Sequence, residues 1–131
     1  MMTYAVKTQN RDELVDITGL VRQAVSESGI DKGQCIVYVP HTTAGVTINE
    51  NADPSVKSDL LMALRKSVSD TYPFAHMEGN SPAHVKASLV GTSAMMIIDN
   101  GNLVLGTWQG IFFCEFDGPR NRKIHIKIIP D

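Results

Sequence analysis

From residue 94 onward the chain is a succession of short β-branched and aromatic runs separated by turn residues, a pattern that restricts this part of the fold to antiparallel strands. Residues 94–98 and 103–107 flank Asp99-Asn100-Gly101-Asn102, whose Asn-Gly centre favours a two-residue hairpin, because both central residues must take positive φ. A second hairpin follows, with strands over 111–116 and 123–129 and a turn at Asp117-Gly118-Pro119. In its last strand Ile124, Ile126 and Ile128 alternate with Lys123, His125 and Lys127. One face is therefore apolar and the other, carrying His125, is solvated.

Upstream, residues 4–9 and 14–17 read as short strands. Thr18 is placed to cap a helix with Leu20, Val21, Ala24 and Val25 on one face, and Gly29 ends it. Residues 34–39 form an apolar strand closed by Pro40, and 43–48 form another. Asp53-Pro54 supplies an N-cap and a first helical residue, with Val56, Leu60, Leu61, Leu64 and Val68 facing inward. The periodicity vanishes over 69–79, a loop with Tyr72, Pro73, Phe74 and His76. Ser81-Pro82 then repeats the capping pattern for a helix ending at Gly91. The expected class is α+β, one domain over residues 1–131, with helices packed on one face of a mainly antiparallel sheet. Such a sheet has free edges, which invite association.

Composition narrows the function classes. A formal charge of −2 leaves no basic field for nucleic acid or an anionic membrane surface. Cys35 and Cys114 each sit in an apolar run without a CxxC pair, so both are expected as reduced core residues. With no apolar leader and no span of bilayer length, the sequence reads as a cytoplasmic protein.

Three polar strings stand apart from this core: His41-Thr42-Thr43-Ala44-Gly45, running into Asn49-Glu50-Asn51-Ala52-Asp53-Pro54; Glu78-Gly79-Asn80-Ser81-Pro82-Ala83-His84; and Gly106-Thr107-Trp108-Gln109-Gly110, followed by Glu115 and Arg120. With Ser81 as N-cap, His84 takes the third helical position, where the helix dipole disfavours the imidazolium and leaves a neutral ring for proton acceptance or metal ligation. The backbone of Gly79, Asn80 and Ser81 can hold a phosphate or carboxylate. His41, His76 and His84 would make an open zinc site if they converge; separately, each has a structural use at a loop or helix end. Glu50 is the carboxylate free to act as base, since Asp53 is occupied as a cap. Trp108 either stacks on a heteroaromatic ring whose edge Gln109 reads, or fills the core. Arg120 offers a fork to phosphate.

Taken together, HTTAGVTINENADP, EGNSPAHVKASL and LGTWQGIFFCEFDGPRNRK resemble the YjbQ family, uncharacterised protein family 0047, from about Thr18 to Ile129. The resemblance implies an antiparallel sheet curled into a half-barrel and a homotrimer with the polar strings near its interfaces. It also implies a secondary thiamine phosphate synthase activity, which joins a hydroxymethylpyrimidine diphosphate to a thiazole phosphate. The family's recurrent polar positions fall on His41, Glu50, Asn51, Asp53, His76, His84, Trp108, Gln109, Glu115 and Arg120.

Three readings follow. In the first, a transferase acts on a phosphorylated small molecule, with Glu50, His84, Arg120 and Gln109 as catalytic groups. Asn51, Gly79, Asn80, Ser81, Trp108 and Glu115 then bind substrate, and a divalent ion, zinc or magnesium, or a cationic clamp neutralises the leaving diphosphate. In the second, a zinc hydrolase or lyase uses His41, His76 and His84 as metal ligands. In the third, a trimer binds a small anionic metabolite without turnover. None implies an organic cofactor.

Overall fold

In the computed structural model, which describes residues 1–131, eight strands and three helices form two antiparallel sheets. Along the chain these are β1 (Met2–Lys7), β2 (Glu13–Asp16), α1 (Thr18–Ser28), β3 (Gly33–Tyr38), β4 (Ala44–Glu50), α2 (Pro54–Ser67), α3 (Ser81–Val90), β5 (Ser93–Asp99), β6 (Asn102–Leu103), β7 (Gln109–Glu115) and β8 (Asn121–Pro130). The five-stranded sheet has the order β1-β8-β3-β5-β6 and the three-stranded sheet β2-β7-β4. The α+β class is as expected, with the antiparallel structure curled into a half-barrel. No helix is long and apolar enough to cross a membrane.

Strand β7 shows how the layers stack. Ile111 and Phe113 join a core with Val37, Ile126 and the α1 residues Val21, Ala24 and Val25. Phe112 and Cys114 point the opposite way, into a second cluster with Leu14, Phe116 and the α3 residues Ala83 and Ala87, against which Leu60, Leu61 and Leu64 of α2 pack partly buried. Alternate residues thus serve two cores, and every residue from Gly110 to Glu115 is buried. Burial pushes the thiols of Cys35 and Cys114 up to about 11 and about 12, so neither is a reactive thiolate near neutrality.

Several local expectations hold in detail. Ile98 pairs with Leu103 and Asp99 with Asn102, so Asn100-Gly101 is the whole loop, with φ of 51° and 75°. Asp53 caps α2 by accepting the Ser55 N–H at 2.9 Å. Gly29 closes α1 in the left-handed region.

Other expectations are corrected. Ile17 rather than Thr18 precedes α1, because Asp16 accepts both the N–H and the hydroxyl proton of Thr18, whose oxygen takes the Ile111 N–H. Asn80 rather than Ser81 holds the N-cap position of α3, its carbonyl accepting from Ala83 and His84. The expected strand over 103–107 stops at Leu103, and Gln109 folds back so that its Oε1 accepts the Gly106 N–H.

Gly45 fixes how closely α3 approaches β4. A Cβ there would lie 2.5 Å from the Gly91 carbonyl oxygen and 3.3 Å from a Val90 methyl. Val46 donates to that same oxygen at 3.0 Å, so the end of α3 cannot withdraw without losing the bond. Gly45→Ala is expected to cost ~1–3 kcal/mol through overpacking, read as a lower urea midpoint at unchanged slope. A wild-type midpoint would show that the contact yields freely.

Candidate functional site

Parts of all three polar strings meet in one cleft. Pro40 ends β3, and residues 40–43 form one wall of a cavity of about 600 Å³. The opposite wall is the loop before α3 and the helix start, which contribute His76, Glu78, Asn80 and His84. The β7–β8 turn supplies Asp117 and Arg120, and β8 supplies Arg122. One lining residue in twelve is hydrophobic, so the cleft suits a polar ligand of small-molecule size.

His41 Nε2 accepts the Lys123 backbone N–H at 3.1 Å, which requires that nitrogen to be unprotonated and places the neutral ring's proton on Nδ1. Burial first, and then the positive charge of Arg122, push His41 below the ordinary histidine value. The ring is held neutral at the cleft wall. His76 and His84 meet edge to face with centroids 5.3 Å apart, one from the loop and one from α3. Because Asn80 is the N-cap, His84 is the fourth helical residue and not the third.

At the rim, Arg120 donates from Nε to the Asp117 carbonyl at 2.8 Å and from Nη2 to Asp117 Oδ2 at 3.0 Å. Asn80 Nδ2 donates to the same carboxylate oxygen at 2.8 Å. That orientation leaves Asn80 Oδ1 as the one buried side-chain polar atom without a partner. A ligand or water with an N–H or O–H to donate would satisfy it.

Glu115, expected to bind substrate, instead lies wholly inside the protein. Thr8 Oγ1 and Arg122 Nε donate to its Oε1, and Arg122 Nη2 with the N–H groups of Phe116 and Asp117 donate to its Oε2. With its acceptor sites filled it positions Arg122 and the β7–β8 turn. Gly79, expected to offer its N–H to a phosphate, donates it to the His76 carbonyl and closes the loop. Ser81 opens α3 beside Asn80.

The remaining expected residues lie elsewhere. In the β4–β7 register Ala44 faces Glu115 while Glu50 faces Gln109, six residues further on and so roughly 20 Å away. Glu50 is therefore not beside the histidines of its own chain. Asn51 shares the far end, donating to Asp16 Oδ2 at 2.9 Å and leaving no room for a side chain at Gly110, whose Cβ would lie 2.7 Å from that of Asn51. Trp108 is 64 % exposed, which removes the core-filling alternative. The three imidazoles do not gather around one point either: no group of three His, Cys, Asp or Glu side chains is set to hold a metal. His41 has given its free nitrogen to Lys123, and His76 and His84 are left as a pair.

Arg122, Asp117, Tyr38 and Thr43 are cleft residues to which the sequence reading assigns no role in the site. For Arg122 a signal existed. It shares the parity of Ile124 and Ile126, so the alternation of the last strand points a guanidinium into the core and demands a buried partner.

The UPF0047 protein YjbQ-like family model matches residues 2–131. A UPF0047 protein of Methanocaldococcus jannaschii is 56 % identical over 131 residues, covering 100 % of this chain and 95 % of its own length. The UPF0047 protein YugU of Bacillus subtilis is 52 % identical over 134 residues, covering 98 % of each. Among solved structures, an uncharacterised YjbQ/UPF0047 protein of Clostridium acetobutylicum superposes with a TM-score of 0.97 at 56 % identity, covering 98 % of this chain and 100 % of that one. A protein of unknown function from Sulfolobus solfataricus superposes with a TM-score of 0.95 at 35 % identity, covering 99 % and 96 %.

Proposed function

The chain belongs to the UPF0047 family of YjbQ-like proteins, and from that premise we propose that it is a transferase of the thiamine phosphate synthase kind, using the polar cleft to join a pyrimidine diphosphate to a thiazole phosphate. The observation that carries the reading is the His76–His84 pair sharing one cleft with neutral His41 and the rim arginine Arg120. In this reaction the thiazole nitrogen forms a bond to the pyrimidine methylene carbon while the bond from that carbon to the diphosphate oxygen breaks. Charge on the departing diphosphate is the main obstacle. Arg120, released from Asp117, meets that charge, and an imidazole of the pair holds the proton the diphosphate takes up. The unpartnered Asn80 Oδ1 suits an N–H on the heterocycle.

Glu50, Asn51, Gln109 and Trp108 enter this scheme only through a neighbouring copy, as in the homotrimer that the family resemblance implies. Tyr38, 47 % exposed, lines the cleft and also belongs to an uncovered apolar strip on the five-stranded sheet, which supports a neighbour seated beside the site. A docked copy would bring Trp108 to stack on the heterocycle and the Glu50 carboxylate to offset the positive charge that the thiazole nitrogen gains.

The test is direct: purified protein supplied with both precursors and magnesium should form thiamine phosphate, and His84→Ala should lower kcat about a hundredfold or more. No product from the unaltered protein sinks the reading. A second reading, a zinc hydrolase or lyase, is favoured by the same imidazole pair. Zinc would there polarise a water, and His76 and His84 would hold it, but His41 does not complete the set. Protein purified without chelator and lacking stoichiometric zinc removes this alternative.

A further inference from the structure

Arg122 is the one strongly cationic group on the cleft that is also built into the core. Its side chain is 6 % exposed, and three of its five N–H groups have partners within the protein. Nε donates to Glu115 Oε1 at 2.8 Å, and Nη2 donates to Glu115 Oε2 and, at 2.8 Å, to Thr43 Oγ1. Nη1 has no acceptor in the protein. Were it sealed in the interior it would be an orphaned buried donor, yet Asn80 Oδ1 alone has that status in this chain. Nη1 therefore meets open space, and the cavity that Arg122 borders is the cleft.

The surroundings keep this nitrogen available for a negative ligand. The Glu115 carboxylate is spread over Thr8, Arg122 and two backbone N–H groups, on the side of the guanidinium away from Nη1. His41 stays neutral and does not compete for an anion. Asp117 is held by Arg120 and Asn80, which leaves Glu78 as the unpaired carboxylate on the cleft. A guanidinium locked on two sides loses little freedom when a third partner arrives, unlike Arg120, whose side chain is half exposed.

We propose that Arg122 Nη1 is the fixed anchor for a phosphate or diphosphate oxygen at the floor of the cleft, with Arg120 as a mobile second contact at the rim. This rests on the reading of the cleft as a site for phosphorylated substrates, and assigns the group that reads the phosphate.

The experiment titrates inorganic pyrophosphate into the full-length protein by calorimetry, beside Arg122→Lys and Arg120→Ala. Lysine keeps the charge but loses the Nη1 fork, so Arg122→Lys is expected to weaken binding at least tenfold, and Arg120→Ala to weaken it less. Because Arg122→Lys disturbs a buried pair, arginine side-chain nitrogen resonances of the unaltered protein are followed in the same titration. Those of Arg122 should shift and saturate with the binding curve. Wild-type affinity in folded Arg122→Lys, or Arg122 resonances unmoved at saturation, overturns the proposal while leaving the phosphorylated-substrate reading intact. Failure of the unaltered protein to bind pyrophosphate overturns both.

Discussion

Glu115→Ala is expected to destabilise the protein by ~3–5 kcal/mol, the loss typical of removing one partner from a buried ion pair. For a chain of this size that lowers the melting temperature by roughly 10–20 °C. Glu115 is 0 % exposed and the Arg122 side chain 6 %, so water cannot replace the carboxylate that is lost. The substitution also leaves the Asp117 N–H without an acceptor, and leaves Phe116 N–H and Thr8 Oγ1 only their second ones, the carbonyls of Thr43 and Arg120. Removing both charges in Glu115→Leu with Arg122→Met should recover much of the loss, because the uncompensated guanidinium goes with its partner. The pH dependence has a definite sign. Burial raises the Glu115 carboxyl, but bonds from Arg122, Thr8 and the Asp117 N–H, with the Arg122 charge, outweigh it and hold the group below the ordinary carboxylate value. Its contribution is complete above the unfolded-state value and is lost as pH falls through the lowered one. Urea titrations through the acid range should show the gap between wild type and Glu115→Ala closing as pH falls, since Asp16, Asp53 and Asp99, also held low, lose their contribution in both proteins alike. A difference between the two below 1 kcal/mol at neutral pH, or one independent of acid, contradicts the role given to this pair.

The sequence was most legible where a residue's partners are its own neighbours. Asn100-Gly101 makes its turn with φ of 51° and 75°, and Asp53 caps the helix it precedes through Ser55, because these outcomes are settled within a few residues. Legibility failed where distant groups compete. Ser81 and Thr18 are good caps in isolation, but Asn80 precedes α3 with its side chain drawn across to Asp117, and the Thr18 hydroxyl serves Ile111 far along the chain. The motifs named most cleft residues and could not say how far apart they stand. Nothing local in His41 and Glu50 reveals that the length of β4 separates them, His41 before its start and Glu50 at its end. Glu115 stands out in its motif as a polar residue, but its place inside the protein depends on Arg122, Thr8 and the turn closing around it, none of which is local to it. Exposure of Trp108 follows from β6 stopping at Leu103 and the loop that brings Gln109 back to Gly106.

If copies of the chain meet through the outer face of the five-stranded sheet and complete the proposed site there, Met95→Glu with Ile97→Glu is expected to give a folded monomer without that activity. On the outer face of the five-stranded sheet, Met95 faces Ile36 across the β3–β5 ladder, and Ile97 and Ile129 flank Gln34. Met95 is 62 % exposed, Ile97 60 %, and Val104 nearby 52 %. These side chains put several exposed apolar groups on one sheet face, and Tyr38, 47 % exposed, stands on that face and lines the cleft. Covering an isoleucine or methionine stabilises an interface by about 1.5–3 kcal/mol each, so opposing two of them with carboxylates should weaken association at least a hundredfold. Light scattering after size-exclusion chromatography reads the mass, and circular dichroism verifies that the sheet survives. The assay of thiamine phosphate formation then separates assembly from catalysis. Monomers that keep full activity would show that the cleft works without the Glu50 and Trp108 of a neighbour. An unchanged mass would show instead that this strip is not where copies meet, and the route by which those residues reach a cleft would have to run through another face.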